Sequence, residues 1–165
     1  MIKLVHAILL FSLSLSCLAV AEGGNPNYPK TIAAAAITNT GGKVDVEKFT
    51  SAKTFLFVAS RSDCPACQAF MKDLDKAEKN LLKAGVLVVL LSKDKDEAAM
   101  LKYIGKHNFY AIPSANKEVA SISKLTGLKK YGIPYAVLAD AQGVVIQHGS
   151  EAKRVLKKAL EIKNK

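Results

Sequence analysis

The pattern of apolar and polar positions predicts a β-α-β unit in the first half of the chain. Residues 54–60 form an apolar run of strand length, rich in aromatic and β-branched side chains. Apolar residues then recur every three or four positions, which predicts a helix over about 65–84 that ends at Gly85. The continuous apolar run 86–91 is typical of a strand covered on both faces. We therefore expect two parallel strands joined by a helix.

The rest of the chain adds weaker signals of the same kinds. Ser92 is a plausible N-cap for a second helix that ends near Lys106. Strands at 135–139 and 144–147, joined by a turn, predict an antiparallel hairpin. The other expected elements are a short strand at 43–46, a loop at 107–113, a helix from near Lys117 to Leu125 and a last helix over about 151–163.

The amino-terminal 21 residues have the pattern of a secretory signal peptide. Lys3 precedes an apolar stretch over 8–20, and Ala19-Val20-Ala21 fits a small-x-small cleavage site. We expect export to an extracytoplasmic compartment, the bacterial periplasm, with cleavage near Ala21. Two alternatives are a leader retained as an anchor and lipid attachment at Cys17.

The remaining sequence has the size of one domain, and no second long apolar segment follows the leader. Residues 22–42 contain glycine and proline without apolar periodicity, which predicts an N-terminal tether and turn ahead of a domain over 43–165. The formal net charge is +10. Acidic residues interleave with the lysines on the predicted helices, so a solvated surface is favoured over a nucleic-acid platform. We expect a monomer that binds no nucleic acid.

Cys64 and Cys67 are the only cysteines outside the leader, and they lie where the first strand passes into its helix. The amino terminus of a helix favours a thiolate, so Cys64 is the expected nucleophile. Cys67 lies one turn further on, faces the apolar side and is the expected resolving thiol. Pro65 is tolerated in the first turn and stiffens the link between the sulfurs. This arrangement predicts a redox-active dithiol.

Two other uses of the cysteine pair fit the sequence less well. A structural disulfide would close a loop of only four residues and contribute little stabilisation. A zinc site needs a second pair of ligands, and the histidines outside the leader, His107 and His148, are far apart in the sequence. We expect both histidines to be ordinary surface residues and predict no metal site.

The Cys-Pro-Ala-Cys segment at a strand-to-helix turn, with Ile133-Pro134 opening a hairpin, resembles the thioredoxin-like superfamily over nearly all of residues 43–163. The resemblance implies a thioredoxin-like fold, a central mixed sheet of four to five strands with helices on both faces. It also implies no cofactor beyond a redox-active Cys64–Cys67 disulfide. The tryparedoxin and nucleoredoxin-like branch is most similar, through the segments 60–62, 90–94 and 109–113.

The resemblance also assigns roles outside the dithiol. Pro134 is expected to be cis and to lie against the cysteines, while the backbone of Ile133 binds an extended substrate segment. Asp63 replaces the family's usual tryptophan, and its carboxylate opposes thiolate formation at Cys64 unless it is turned away. We favour a structural role for Asp63 as a cap of the helix.

A second departure concerns proton transfer at the resolving thiol. Val58 stands where thioredoxin carries a buried acid that assists this transfer. The proton would then pass to water or to another group, for which Glu118 and Lys53 are weak candidates.

The function implied is that of an exported thiol–disulfide oxidoreductase that acts on disulfide-containing exported proteins. Ile133 before the proline and Asp63 beside the dithiol favour a reductase, recharged by a membrane thiol electron donor. Alternatives are a disulfide oxidase or isomerase and an apocytochrome thiol reductase. A redox-inactive binding module with the same fold is an alternative of another class, against which the intact dithiol argues.

Overall fold

A five-stranded mixed sheet forms the centre of the protein. The computed structural model describes residues 24–105, 107–117 and 132–162. The strands are β1 (Thr54–Ser60), β2 (Val86–Ser92), β3 (Tyr110–Ile112), β4 (Tyr135–Asp140) and β5 (Val145–Gly149), in the spatial order β3-β2-β1-β4-β5. The described helices are α1 (Tyr28–Ala35), α2 (Val46–Thr50), α3 (Pro65–Lys83), α4 (Glu97–Ile104) and α5 (Ala152–Leu160). None of these helices is long and apolar enough to cross a bilayer.

The predicted β-α-β unit is confirmed. β1 and β2 pair in parallel, with α3 between them in the sequence, and β1 pairs with β4 in the antiparallel direction. Gly85, just beyond α3, has a φ of 69°, the left-handed conformation that glycine adopts at low cost after a helix. The thioredoxin-like architecture that the resemblance implied is therefore present.

Helices cover both faces of the sheet, so every residue of β1 and β2 is buried. Phe55 and Phe57 of β1 belong to a core with α1 and α2. Leu56 and Val58 point the other way, into a core that includes Leu74 of α3. Successive side chains of a strand point to opposite faces. By this alternation the side chain of Ser60, the last residue of β1, lies on the side of the sheet that α3 covers.

The described part of the expected tether, from Gly24 onward, is instead part of the folded domain. Tyr28 at the start of α1 is buried, and its ring lies 6.2 Å from that of Phe55 and 6.1 Å from that of Phe57. The backbone N–H of Asn25 donates to the carbonyl of Gln142 at 2.9 Å. The prediction of a tether over 22–42 was wrong there, because α1 is too short and alanine-rich to show a helical period.

Three local predictions also need correction. The expected strand at 43–46 is a single bridge between Lys43 and Ile37, and α2 begins at Val46. α4 is capped by Asp96, whose carboxylate accepts the N–H of Ala99 at 2.7 Å, and not by Ser92, which ends β2. The predicted loop at 107–113 contains β3, a strand of three residues that is too short for a recognisable pattern. The expected leader and most of the helix from Lys117 lie outside the described residues.

Candidate active site

Cys64 occupies the N-cap position of α3 and is partly exposed. Its Sγ accepts the backbone N–H of Cys67 at 3.2 Å, and its carbonyl accepts the N–H of Gln68 at 3.0 Å. Pro65 follows in the first turn, where its missing N–H costs no helical hydrogen bond. An N–H and the positive end of a 19-residue helix are thus directed at the sulfur, an arrangement that favours negative charge there.

Cys67 lies behind Cys64 and is almost completely buried, with 1% of its surface exposed. Burial, together with hydrogen bonding to Cys64, raises the pKa of Cys67 to about 11. Hydrogen bonds from the Ser60 side chain and the Arg61 backbone oppose this rise. Both cysteines are free thiols in this structure. The Cys64 sulfur is therefore accessible to a partner. The Cys67 sulfur is buried and holds its proton more strongly than an ordinary cysteine thiol.

The segment before β4 lies against the dithiol, and the Ile133–Pro134 peptide bond is cis, as the resemblance implied. The Sγ of Cys64 lies 3.9 Å from the carbonyl oxygen of Ile133. Pro134 also borders a groove of about 520 Å³ between α3 and α5. Ala66, Ala69, Phe70 and Ala152 form the apolar part of the groove lining.

Asp63 does not cap α3, because Cys64 holds that position. The Asp63 carboxylate instead forms an ion pair with the Arg61 guanidinium, and both side chains are exposed. The ion pair raises the pKa of Arg61, with smaller contributions from Cys64 and Cys67. The interpretation of Asp63 as a helix cap was therefore wrong: its charge is offset by a neighbouring cation that also faces the cysteines.

Asp94 anchors the loop that carries the dithiol, a role that sequence reasoning missed. This buried carboxylate accepts the backbone N–H of Ser62 at 2.9 Å and its hydroxyl at 2.7 Å. Its other oxygen accepts the hydroxyl of Ser92 at 3.0 Å. The Ser114 hydroxyl donates to the backbone carbonyl of Asp94 at 2.7 Å. The only sequence signal was the polar pair Ser92 and Asp94 directly after a buried strand.

A second missed feature is a pair of hydroxyl groups next to the resolving thiol. Ser60, at the end of β1, is 1% exposed, and its Oγ lies 3.1 Å from the hydroxyl of Tyr103 on α4. Val58 is buried in the apolar core, as expected. Lys53 precedes the opposite end of β1, so it is remote from Cys67 and was a wrong candidate. Glu118 lies outside the described residues.

A cluster of Asp75, Glu78 and His107 is the one group among the described residues whose side chains could jointly approach a metal ion. The three residues already have partners, since His107 pairs with Asp75 and Glu78 accepts the Asn108 amide at 2.6 Å. His107 is also partly buried, so it is not the ordinary surface residue that was predicted. His148 is exposed and its ring nitrogen lies 2.6 Å from the Tyr135 hydroxyl.

The fold and the dithiol at the start of α3 define a thioredoxin-like thiol–disulfide oxidoreductase. The sequence profile of the Redoxin family matches residues 25–161, and the chain belongs to this family. No curated protein matches the sequence at a significant level.

Solved structures of two classes of oxidoreductase are similar to this chain. Native tryparedoxin I from Crithidia fasciculata is 25% identical, with a TM-score of 0.65 over 82% of this chain and 93% of that one. Tryparedoxin from Trypanosoma brucei is 28% identical, with a TM-score of 0.55 over 66% and 76%. The thioredoxin domain of a thiol–disulfide oxidoreductase from Bacteroides vulgatus shares the fold, with 20% identity and a TM-score of 0.56 over 78% and 96%. The predicted kinship with the tryparedoxin-like branch is confirmed.

Proposed function

We propose that this protein is an extracytoplasmic disulfide reductase in which Cys64 attacks the substrate and Cys67 releases it. The observation that carries the proposal is the difference between the two thiols: Cys64 is accessible at the start of α3, whereas Cys67 is buried one turn inside it. An accessible nucleophile with a protected neighbour suits two consecutive exchange reactions on one substrate.

In the first exchange the Cys64 thiolate attacks one sulfur of a substrate disulfide. A bond between Cys64 and that sulfur forms, the substrate disulfide breaks, and the second substrate sulfur leaves as a thiolate. The Cys67 thiolate then attacks the Sγ of Cys64, which forms the Cys64–Cys67 disulfide and expels the other substrate thiolate. The two protons lost by the cysteines return to the substrate through water. Two electrons have passed to the substrate, and an external dithiol donor must reduce the protein again.

The groove beside Pro134 is the proposed binding site of the substrate segment. The backbone of Ile133 lies at the reacting sulfur, so an extended peptide that pairs with it would bring its own disulfide to Cys64. The apolar walls formed by Phe70, Ala66 and Ala152 would hold side chains next to that disulfide. Exported proteins with disulfides are the proposed substrates, and a membrane thiol donor is the proposed reductant.

The reductase direction is supported by the isoleucine that precedes the cis proline, through the resemblance to reducing members of the thioredoxin-like superfamily. Asp63 supports it less than its position in the sequence indicated, because Arg61 offsets its charge. The extracytoplasmic location rests on the leader pattern alone. Sequencing of the amino terminus of the protein recovered from a periplasmic extract tests this location, and a cytoplasmic chain that begins at Met1 would refute it.

The Cys67→Ser variant tests the exchange function. Because the variant lacks the thiol that resolves the mixed disulfide, we expect it to accumulate mixed disulfides through Cys64 that reducing agents release. Its rate of insulin reduction should fall by at least about a hundredfold. The Cys64→Ser variant is the matched control and should trap nothing. A wild-type reduction potential near about −270 mV supports the reductase direction, while a value near about −120 mV would assign an oxidase instead.

A further inference from the structure

The hydroxyls of Ser60 and Tyr103 form a part-buried pair near the resolving thiol. The Ser60 Oγ lies 3.1 Å from the Tyr103 hydroxyl, and hydrogen bonding by the Ser60 side chain opposes the rise in the pKa of Cys67. Ser60 and Cys67 are each 1% exposed, so bulk water does not solvate either group freely. The three side chains come from β1, α3 and α4, and they meet only in the folded protein.

The resolving reaction requires Cys67 to give up its proton in this buried place. Burial opposes that loss, since it disfavours the charged thiolate. Val58 offers no acid or base, and among the residues that the structure describes the charged or titratable groups that face Cys67 are Cys64, Arg61 and Tyr103. The negative charge of Asp94 contributes to the raised pKa of Tyr103, but the Asp94 carboxylate already accepts hydrogen bonds from the hydroxyls of Ser62 and Ser92. Besides the Arg61 backbone, the described polar group that stabilises a charge on Cys67 is thus the neutral hydroxyl of Ser60.

The direction of the hydrogen bonds follows from the number of protons. A thiolate on Cys67 can only accept, so the single hydroxyl proton of Ser60 must point at the sulfur. The Ser60 oxygen is then an acceptor for the Tyr103 hydroxyl. Burial raises the pKa of Tyr103 to about 12, so this hydroxyl keeps its proton and remains a donor at neutral pH.

We propose that Ser60 and Tyr103 are positioning residues for the resolving step: Tyr103 donates to Ser60, and Ser60 donates to the Cys67 thiolate and stabilises it. This inference rests on the proposed exchange function. In the step itself the Cys67 proton leaves to water, the Cys64–Cys67 bond forms, and the bond from Cys64 to the substrate sulfur breaks. The substrate sulfur keeps the electron pair of the broken bond and then takes a proton from water.

Stopped-flow reaction with excess dithiobis(nitrobenzoate) separates the two steps. Attack by Cys64 releases one thionitrobenzoate at a rate proportional to reagent concentration, and attack by Cys67 releases the second at a rate independent of it. We expect Ser60→Ala and Tyr103→Phe to slow the second release about three- to tenfold below pH 9, because fewer Cys67 thiolates are present. The midpoint of the second rate against pH should move upward, and the first release should not change.

Tyr28→Phe is the matched control, since it removes a buried tyrosine hydroxyl on the opposite face of the sheet and should leave both releases unchanged. Ser60→Thr retains the hydroxyl and should restore the second release. The inference is overturned if Ser60→Ala and Tyr103→Phe leave the second release and its pH midpoint unchanged, or slow both releases equally at every pH. Failure of the wild-type protein to release the first thionitrobenzoate would instead refute the exchange function.

Discussion

Cys64 and Cys67 differ in chemistry although only two residues separate them. One sulfur sits at the open end of α3 and accepts a backbone N–H, whereas the other is enclosed by the core. Both environments follow from positions in the first helix turn. Cys64 is the N-cap, so its side chain lies before the helix, whereas Cys67 is the third helical residue and faces the sheet. The local geometry therefore assigns the order of the two exchange reactions.

Substitution of Asp94 tests the anchor of the dithiol loop. In Asp94→Ala the backbone N–H of Ser62 and the hydroxyl of Ser92 lose their acceptor inside the protein. We expect the free energy of unfolding to fall by about 2–4 kcal/mol, measured by urea denaturation.

Asp96→Ala is the control for this substitution. It removes a carboxylate two residues away that only caps α4, and should cost about 1 kcal/mol. Equal losses in the two variants would contradict the anchoring role of Asp94.

The sequence was sufficient for the residues whose roles depend on neighbours close in the chain. The cysteines, Pro65 and the Ile133-Pro134 pair could be named because a strand-to-helix turn and a hairpin start are local patterns. Ser60, Tyr103 and Asp94 could not, since their partners lie 43 and 32 positions away in the sequence. Asp63 was misinterpreted for a related reason: a capping residue and a residue that pairs with Arg61 have the same sequence signature.

At the scale of elements, α3 joins the dithiol to the core. Its buried residues are Cys67, Phe70, Met71, Leu74, Ala77 and Leu81, and they lie along one side of the helix. The stripe continues directly from the resolving thiol, so packing of the helix against the sheet also fixes the depth of Cys67. Long periodic segments of this kind were predicted correctly, whereas the short elements α1, α2 and β3 were not, because they owe their state to tertiary contacts.

Two leucines of α3 provide a matched test of this packing. Leu74 is fully buried, and Leu82 is 41% exposed. We expect Leu74→Ala to lower the free energy of unfolding by about 2–5 kcal/mol, because it leaves a cavity between α3 and the sheet.

Leu82→Ala should lower the free energy of unfolding by no more than about 1 kcal/mol. Urea unfolding of both variants measures the difference. A loss at Leu82 as large as that at Leu74 would show that the helix faces are wrongly assigned.

At the scale of the whole molecule, the described residues form one sheet with a core on each face, and the active site lies where β1 leaves the sheet. One core is formed with α1 and α2, and the other with α3, α4 and α5. The sequence predicted the central strands and their covering but not the contribution of α1 to the first core. Cys67 lies on the buried side of α3, whose other buried residues belong to the second core, so ionisation of Cys67 should be coupled to the stability of the domain.

This coupling gives the reduced protein a stability that falls in alkaline solution. The pKa of Cys67 is raised from 9.0 to about 11 by burial, so between these values the unfolded chain loses a proton that the folded protein retains. The unfolded state then binds fewer protons, and the free energy of unfolding decreases as pH rises. The contribution is fully present below pH 9 and should be lost by pH 11, a change on the order of 2 kcal/mol.

Urea denaturation between pH 8 and pH 11 measures this loss in the reduced and oxidised proteins. The oxidised protein has no thiol at Cys67 and should lack the change, as should a reduced Cys67→Ala variant, which retains Cys64. Ionisation of Tyr28, whose pKa is also raised by burial, affects both redox states and cancels in the comparison. Equal slopes for reduced wild type and Cys67→Ala would mean that Cys67 ionises as readily in the folded protein as in the unfolded chain.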